Sequence, residues 1–266
     1  MRSSALWLVR ALLGCVLVQF ITTSETCDGV LGNGSCSECL VDLSHPFNNE
    51  TLYWNPNDRF DINITTTSDP VYGWYTADVF TTATHGGTHL DAPIHFHPEG
   101  WTASQIPLRH LVGIPLAVID VEAKIVNDSD YQLSVDDVLH WEATHIPLPN
   151  GSLVVMRTGR GKLWPNSREY FGTDENGARH FPSIAPGTAE FLTTERRIYG
   201  VGLDSPSVDR ANSSSTHRIL AAKNIYNIEN MANVHLLPET GAFAMVMPMK
   251  IDGASGAPVR VAAILP

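Results

Sequence analysis

Between His85 and His97 the chain reads HGGTHLDAPIHFH, four imidazoles and one carboxylate within thirteen residues of a sequence that holds eleven histidines in all. His85, His89, Asp91 and His95 share odd numbering, so an extended segment would project their side chains from one face. A helix would also bring His85 and His89 together, but Gly86, Gly87, the β-branched Thr88 and Pro93 oppose it, and an extended, kinked ribbon is expected. Imidazole nitrogen and carboxylate oxygen without thiolate suit zinc, manganese or iron, and leave water-exchangeable positions more readily than an all-cysteine set. The stretch therefore reads as a catalytic metal nest. His97 has the same parity but stands before Pro98 and is assigned to the turn.

One ribbon supplies too few ligands for a two-metal centre, so a second segment is needed. His217 follows the run Ser213 to Thr216, which can cap a helix through Ile219 and Leu220, and Glu229 comes twelve residues later. On one continuous helix the two would lie about a third of a turn out of line, so a break near Asn224 must bring them together. Spacing alone favours a plainer alternative, with His217 a helix N-terminal residue and Glu229 a solvated acid. Asp204 and Asp209 are candidates to orient ligand imidazoles, or equally to cap the loop after a strand. Trp54, Trp74, Tyr75, Trp101 and Trp164 are candidates for an aromatic pocket wall or for core.

Short apolar runs predict buried strands at 115–121, 152–157, 198–204, 242–247 and 259–265. Between them, Ser134 with Asp137 three residues on predicts a capped helix through Trp141, and 186–196 gives another amphipathic helix. Alternation of this kind predicts an α/β domain with a mixed sheet.

Arg2 and Arg10 flank the apolar run Ala11 to Ile21, and small polar residues follow, which predicts a secretory signal peptide over 1–24 and a secreted, soluble chain. Six Asn-x-Ser/Thr sequons, at Asn33, Asn49, Asn63, Asn127, Asn150 and Asn212, agree with that route, although Asn212 lies near the proposed site. A cysteine-containing irregular leader is expected over 25–40, where Cys27, Cys36 and Cys39 should form one disulfide and leave one thiol over. Cys36-x-x-Cys39 has no second pair to make a zinc knuckle. The formal charge of −11 argues against nucleic acid and anionic membrane as partners. The remaining length, about 240 residues, suits one domain, with no internal repeat or long linker.

The segments Asp42-Leu-Ser-His45, His85 to His95, Gly202 to Asp209, Ser215 to Leu220 and Ile228-Glu-Asn230 resemble, in order, the motifs of the cyclase family, which includes bacterial-type kynurenine formamidases and isatin hydrolases. The resemblance runs from about Asp42 to the C-terminus. It implies one swivelling β/β/α domain over 41–266, assembled as a homodimer or homotetramer. It also implies a ligand set of His85, His89, Asp91, His217 and Glu229 for divalent metal, two zinc ions ahead of manganese, since single-manganese relatives use a less complete set. If these converge, Asp91 and Glu229 could bridge the ions, with His85 and His89 on one and His217 on the other. Metal-activated water would then attack an amide carbonyl. His95, on the ligand face, has an ordinary pKa suited to taking the proton of that water, a role the resemblance also assigns; the alternative is a hydrogen bond to Asp91 or a backbone carbonyl. The expected substrate is a small amide: N-formyl-L-kynurenine, giving kynurenine and formate, or a cyclic amide such as isatin. The non-enzymatic alternative is an extracellular glycoprotein that keeps the scaffold for binding.

Overall fold

The computed structural model describes residues 39–266. The expected signal peptide, Cys27, Cys36, the Asn33 sequon and most of the leader lie outside the described residues. Cys39 is disulfide-bonded. Among the described residues no helix is long and apolar enough to cross a membrane.

The chain runs through β1 (Leu40–Asp42), β2 (Asp61–Asp69), β3 (Gly73–Thr81), β4 (His89–Asp91), β5 (Val112–Asp120), α1 (Glu122–Ile125), β6 (Gln132–Leu133) and α2 (Val135–Thr144). It continues through β7 (Ser152–Arg157), α3 (Ser167–Phe171), β8 (Ser183–Ile184), α4 (Pro186–Thr194), β9 (Ile198–Leu203), α5 (Ser215–Ala221), β10 (Tyr226–Glu229), β11 (Phe243–Pro248) and β12 (Gly256–Ile264). Eight strands form one mixed sheet in the order β1-β12-β11-β5-β7-β9-β10-β4, and β4 pairs back onto β12, which closes a barrel. Strands β5, β7, β9 and β10 are parallel; the other pairings of this sheet are antiparallel. The expected mixed-sheet α/β domain is what forms.

Period-two alternation decides which side chains fill which layer. Leu116, Val118, Leu153, Val155, Tyr226 and Ile228 belong to one core cluster with Leu90 and Val261. Their neighbours Ala117, Ile119, Val154 and Met156 turn the other way and pack with Trp141 of α2, Leu192 of α4 and Leu220 of α5. In β9 the inward positions are glycines: a Cβ on Gly200 would stand 2.6 Å from the Tyr226 ring carbon Cζ, so a side chain there would displace that ring. The predicted caps form as well. Ser134 Oγ accepts from Asp137 N while the Asp137 carboxylate accepts from Ser134 N, a reciprocal box that starts α2.

One expectation is refined, and one element was not anticipated. The ribbon is extended only over His89–Asp91; after Ala92 it tightens into a 3-10 turn at Pro93–His95, where proline sets the first φ. The sequence pattern also misses the long hairpin β2–β3, whose Thr-rich first strand carries apolar residues only at Ile62 and Ile64.

Candidate metal centre

Strand β4 is the wall on which the site is built. It lies between β10 and β12, so that His89 pairs with Glu229 and Asp91 with Gly256. Leu90 points into the barrel core, so His89 and Asp91 emerge together on the opposite face, beside Glu229 of β10. Helix α5 packs over that face and brings His217 down: its Nε2 is 3.1 Å from Asp91 Oδ2 and 3.2 Å from Glu229 Oε1. Asn224, with φ of 55°, turns the chain from α5 into β10, which is the expected break. His85 approaches from the other side, its Nδ1 2.6 Å from Asp91 Oδ1. That approach needs Gly256, where a Cβ would lie 2.5 Å from His85 Cε1.

Two groups of donors result, His85–His89–Asp91 and Asp91–His217–Glu229, each able to hold a metal ion and sharing Asp91. His89, Asp91, His217 and Glu229 are all buried. The rings are oriented from behind. His89 Nδ1 is 3.1 Å from the Gly87 carbonyl, and His217 Nδ1 is 2.7 Å from Asp209 Oδ2, which leaves each Nε2 facing the carboxylates. His85 is held at Nε2 by Ser255 Oγ at 2.8 Å.

The electrostatics call for a cation. Burial works against a charged His89, yet the Asp91 and Glu229 carboxylates push its pKa up to about 9. His217 is likewise opposed by burial and held well above its ordinary value by hydrogen bonds to Asp209, Asp91 and Glu229. Burial would raise Asp91, but the surrounding imidazoles, His89 first, hold it well below the usual carboxylate range. Protons on imidazoles thus answer a buried excess of carboxylate, and a divalent cation on the same nitrogen and oxygen donors would answer it better. Three imidazoles and two carboxylates fit zinc or manganese.

A cavity of about 380 Å³ opens over this centre, and His85, His89, Asp91, His95, His217 and Glu229 all line it. His95 stacks on His85 at 4.0 Å between ring centroids. It makes no side-chain hydrogen bond to another described residue, so the alternative bond to Asp91 does not form. Burial, opposed by Asp91 and reinforced by His85, pulls its pKa down to about 4.

The two acids set aside in the sequence separate cleanly. Asp209 orients the His217 ring, the first of its two expected roles, and also accepts from the Thr216 and His217 amides at the start of α5. Asp204 serves the loop after β7 instead, bonded to Thr158 and Gly161. Of the five aromatic candidates, Trp54 lines the cavity. Trp74 and Tyr75 stand exposed on the hairpin, Trp101 packs against the core, and Trp164 stacks on His45. Phe96 and Phe171 complete the wall and were not foreseen, since nothing in their spacing separates them from core aromatics. Asn230 was also missed as a clamp. Its Nδ2 donates to the Gly87 carbonyl at 2.7 Å and its Oδ1 accepts from Tyr170, tying β10 to the loop before His89.

Fold and site together define a metal-dependent hydrolase. The chain matches the family model "Putative cyclase" over residues 41–210. It is 31% identical to isatin hydrolase of Roseibium aggregatum over 193 residues, 68% of this chain and 72% of that protein. It is 26% identical to kynurenine formamidase of Bacillus cytotoxicus over 227 residues, 83% of this chain and 94% of that protein. The solved structure of isatin hydrolase A from Labrenzia aggregata bound to benzyl benzoate superposes with a TM-score of 0.77 at 28% identity, covering 85% of this chain and 93% of that one. The chain belongs to the cyclase family.

Proposed function

We propose that this is a secreted arylformamidase that hydrolyses N-formyl-L-kynurenine to L-kynurenine and formate. The observation that carries the reading is the pair of three-donor groups sharing Asp91 beneath a cavity walled by Trp54, Phe96 and Phe171. His85, His89 and Asp91 would hold one divalent cation, and Asp91, His217 and Glu229 the other. Bound there, zinc ahead of manganese, the cations would acidify water towards a pKa of about 7 and polarise a carbonyl. The aromatic wall stacks the aryl ring of the substrate and sets its formyl group over the centre. His95, which lines the cavity and stacks on His85, takes the proton of the attacking water and returns it to the aryl nitrogen as the C–N bond breaks.

A second reading, hydrolysis of a cyclic amide such as isatin, is favoured by the higher identity to an isatin hydrolase. Turnover of both compounds by purified, metal-replete protein tests the two. Hydrolysis of neither would withdraw both and leave a metal-carrying glycoprotein.

Secretion is supported by the disulfide at Cys39 and by the exposure of Asn49, Asn63, Asn127, Asn150 and Asn212, the acceptor asparagines among the described residues. Assembly as a homodimer or homotetramer is supported by the hairpin β2–β3, which stands away from the core with large apolar side chains in solvent.

A further inference from the structure

We infer that Arg210 is the residue that selects the substrate, by pairing with a carboxylate on the tail of the molecule whose amide is cut. The inference rests on the amide-hydrolase reading and deepens it.

Among the described residues, Arg210 is the one lysine or arginine lining the cavity. Its backbone is fixed next to the chemistry. The preceding residue, Asp209, is buried and holds the ring and amide of His217, and the Arg210 carbonyl accepts a hydrogen bond from Ser213 N at 3.0 Å. Its guanidinium, by contrast, is exposed and uncommitted: the contact it makes is a long one, 3.4 Å from Nη2 to the Asp130 carbonyl. Arg59, Arg157, Arg196 and Arg260 each have a carboxylate partner. Arg210 has none among the described residues; Arg109, Arg168 and Arg218 also lack one, but of these only Arg210 lines the cavity. A cation left unpaired at the mouth of an acidic site is a place for a substrate anion.

The chemistry of the centre makes such an anchor useful. A carboxylate is itself a good ligand for divalent cations, so a substrate carrying one could seat its acid group, rather than its amide, on the metal donors. A planar guanidinium fork pairs with carboxylate bidentately and keeps that group at the rim. Asp58, which also lines the cavity and accepts from Asn55 at 3.3 Å, repels a carboxylate from its own position. The pattern suits an aryl formamide whose side chain ends in an amino-acid group. It offers nothing to a neutral bicyclic amide.

The test compares N-formyl-L-kynurenine with 2′-formamidoacetophenone, the same aryl ketone without the amino-acid tail, on the wild-type protein, Arg210→Ala and Arg210→Lys. Arg210→Ala should raise KM for the tailed substrate at least about tenfold, with kcat within about twofold, and Arg210→Lys should recover part of the loss. Turnover of the tail-less compound should change by less than about twofold. Equal effects on both substrates, or none on the tailed one, would overturn the inference. Calorimetry with kynurenine and 2-aminoacetophenone reads the same contact without turnover. Should the wild-type protein cleave no formamide, the proposed reaction falls, while tighter binding of kynurenine that is lost in Arg210→Ala still supports the anchor. Equal binding of the two ligands by the wild-type protein removes it.

Discussion

His89 and Glu229 stand directly opposite one another on the antiparallel strands β4 and β10, with Nε2 and Oε2 3.7 Å apart. The register of a single ladder therefore brings together two donors that lie far apart in sequence. Glu229 also reaches His217 and accepts from Val208 N at 3.0 Å, so its carboxylate joins strand, helix and loop.

Glu229→Gln keeps the shape of that side chain and removes its charge. The variant should retain less metal per chain than the wild-type protein, by elemental analysis after purification without chelator, and lose about a hundredfold or more in amidase activity. Chelation of the wild-type protein should lower its melting temperature, and added zinc should restore it in proportion to concentration. Full metal content in Glu229→Gln would remove this residue from the ligand set.

Asp209 acts through His217. Asp209→Asn should weaken metal binding by about 10- to 100-fold, the usual cost of losing a carboxylate behind a ligating imidazole. Excess metal should rescue most of the activity, and a titration of activity against zinc would show the shift. A variant whose defect does not respond to metal would place Asp209 with the folding of α5 alone.

His45 gives the fold a pH dependence of its own. Burial, countered in part by Asp42, pulls its pKa down to about 4, and its Nε2 is buried with no hydrogen-bond partner. Since the unfolded ring titrates near 6.5, protons bind the unfolded chain first. Stability from this group is complete above about pH 6.5, falls as pH drops towards 4, and changes little below that. Between pH 7 and 4.5 the wild-type protein should lose about 2 kcal/mol more than His45→Phe in denaturant titrations of the metal-free forms. Equal losses would show that the ring is protonated in the folded protein.

On the hairpin, Ile62, Ile64, Trp74 and Phe80 share one face by register, with Asp78 opposite Ile64, and all four are exposed; Tyr75 and Val79 are exposed on the other. The other face carries the acceptor Asn63. An isolated two-stranded ribbon is at best marginally stable, so its apolar face should be covered by another copy of the chain. Ile64→Asp together with Phe80→Asp should reduce the mass in solution, by light scattering, to that of one chain. An unchanged oligomer would put the interface elsewhere.

How far the sequence spoke follows from the range of the interactions involved. The strand at 152–157 and the helix entered at Ser134 are encoded in local pattern and capping, and they appear where expected. The six candidate residues could be named because their types and motif order are unusual, and the fold does bring them to one cavity. Phe96, Phe171 and Asn230 depend on contacts between segments distant in sequence, which no local period records. Strand β4 is three residues long, too short to show any period at all, although the whole site is built on it.

That short strand also makes the complete donor set depend on closure of the barrel. The donors contributed by residues 85–91 are close neighbours in the chain, whereas Glu229 takes its place only after β10 has zipped onto β4. A growing polypeptide could grip an ion weakly with its first three donors, but it cannot assemble the second trio until the barrel seam is shut. Full occupancy of such a centre would therefore require the closed barrel, and a misassembled molecule would lack the second ion.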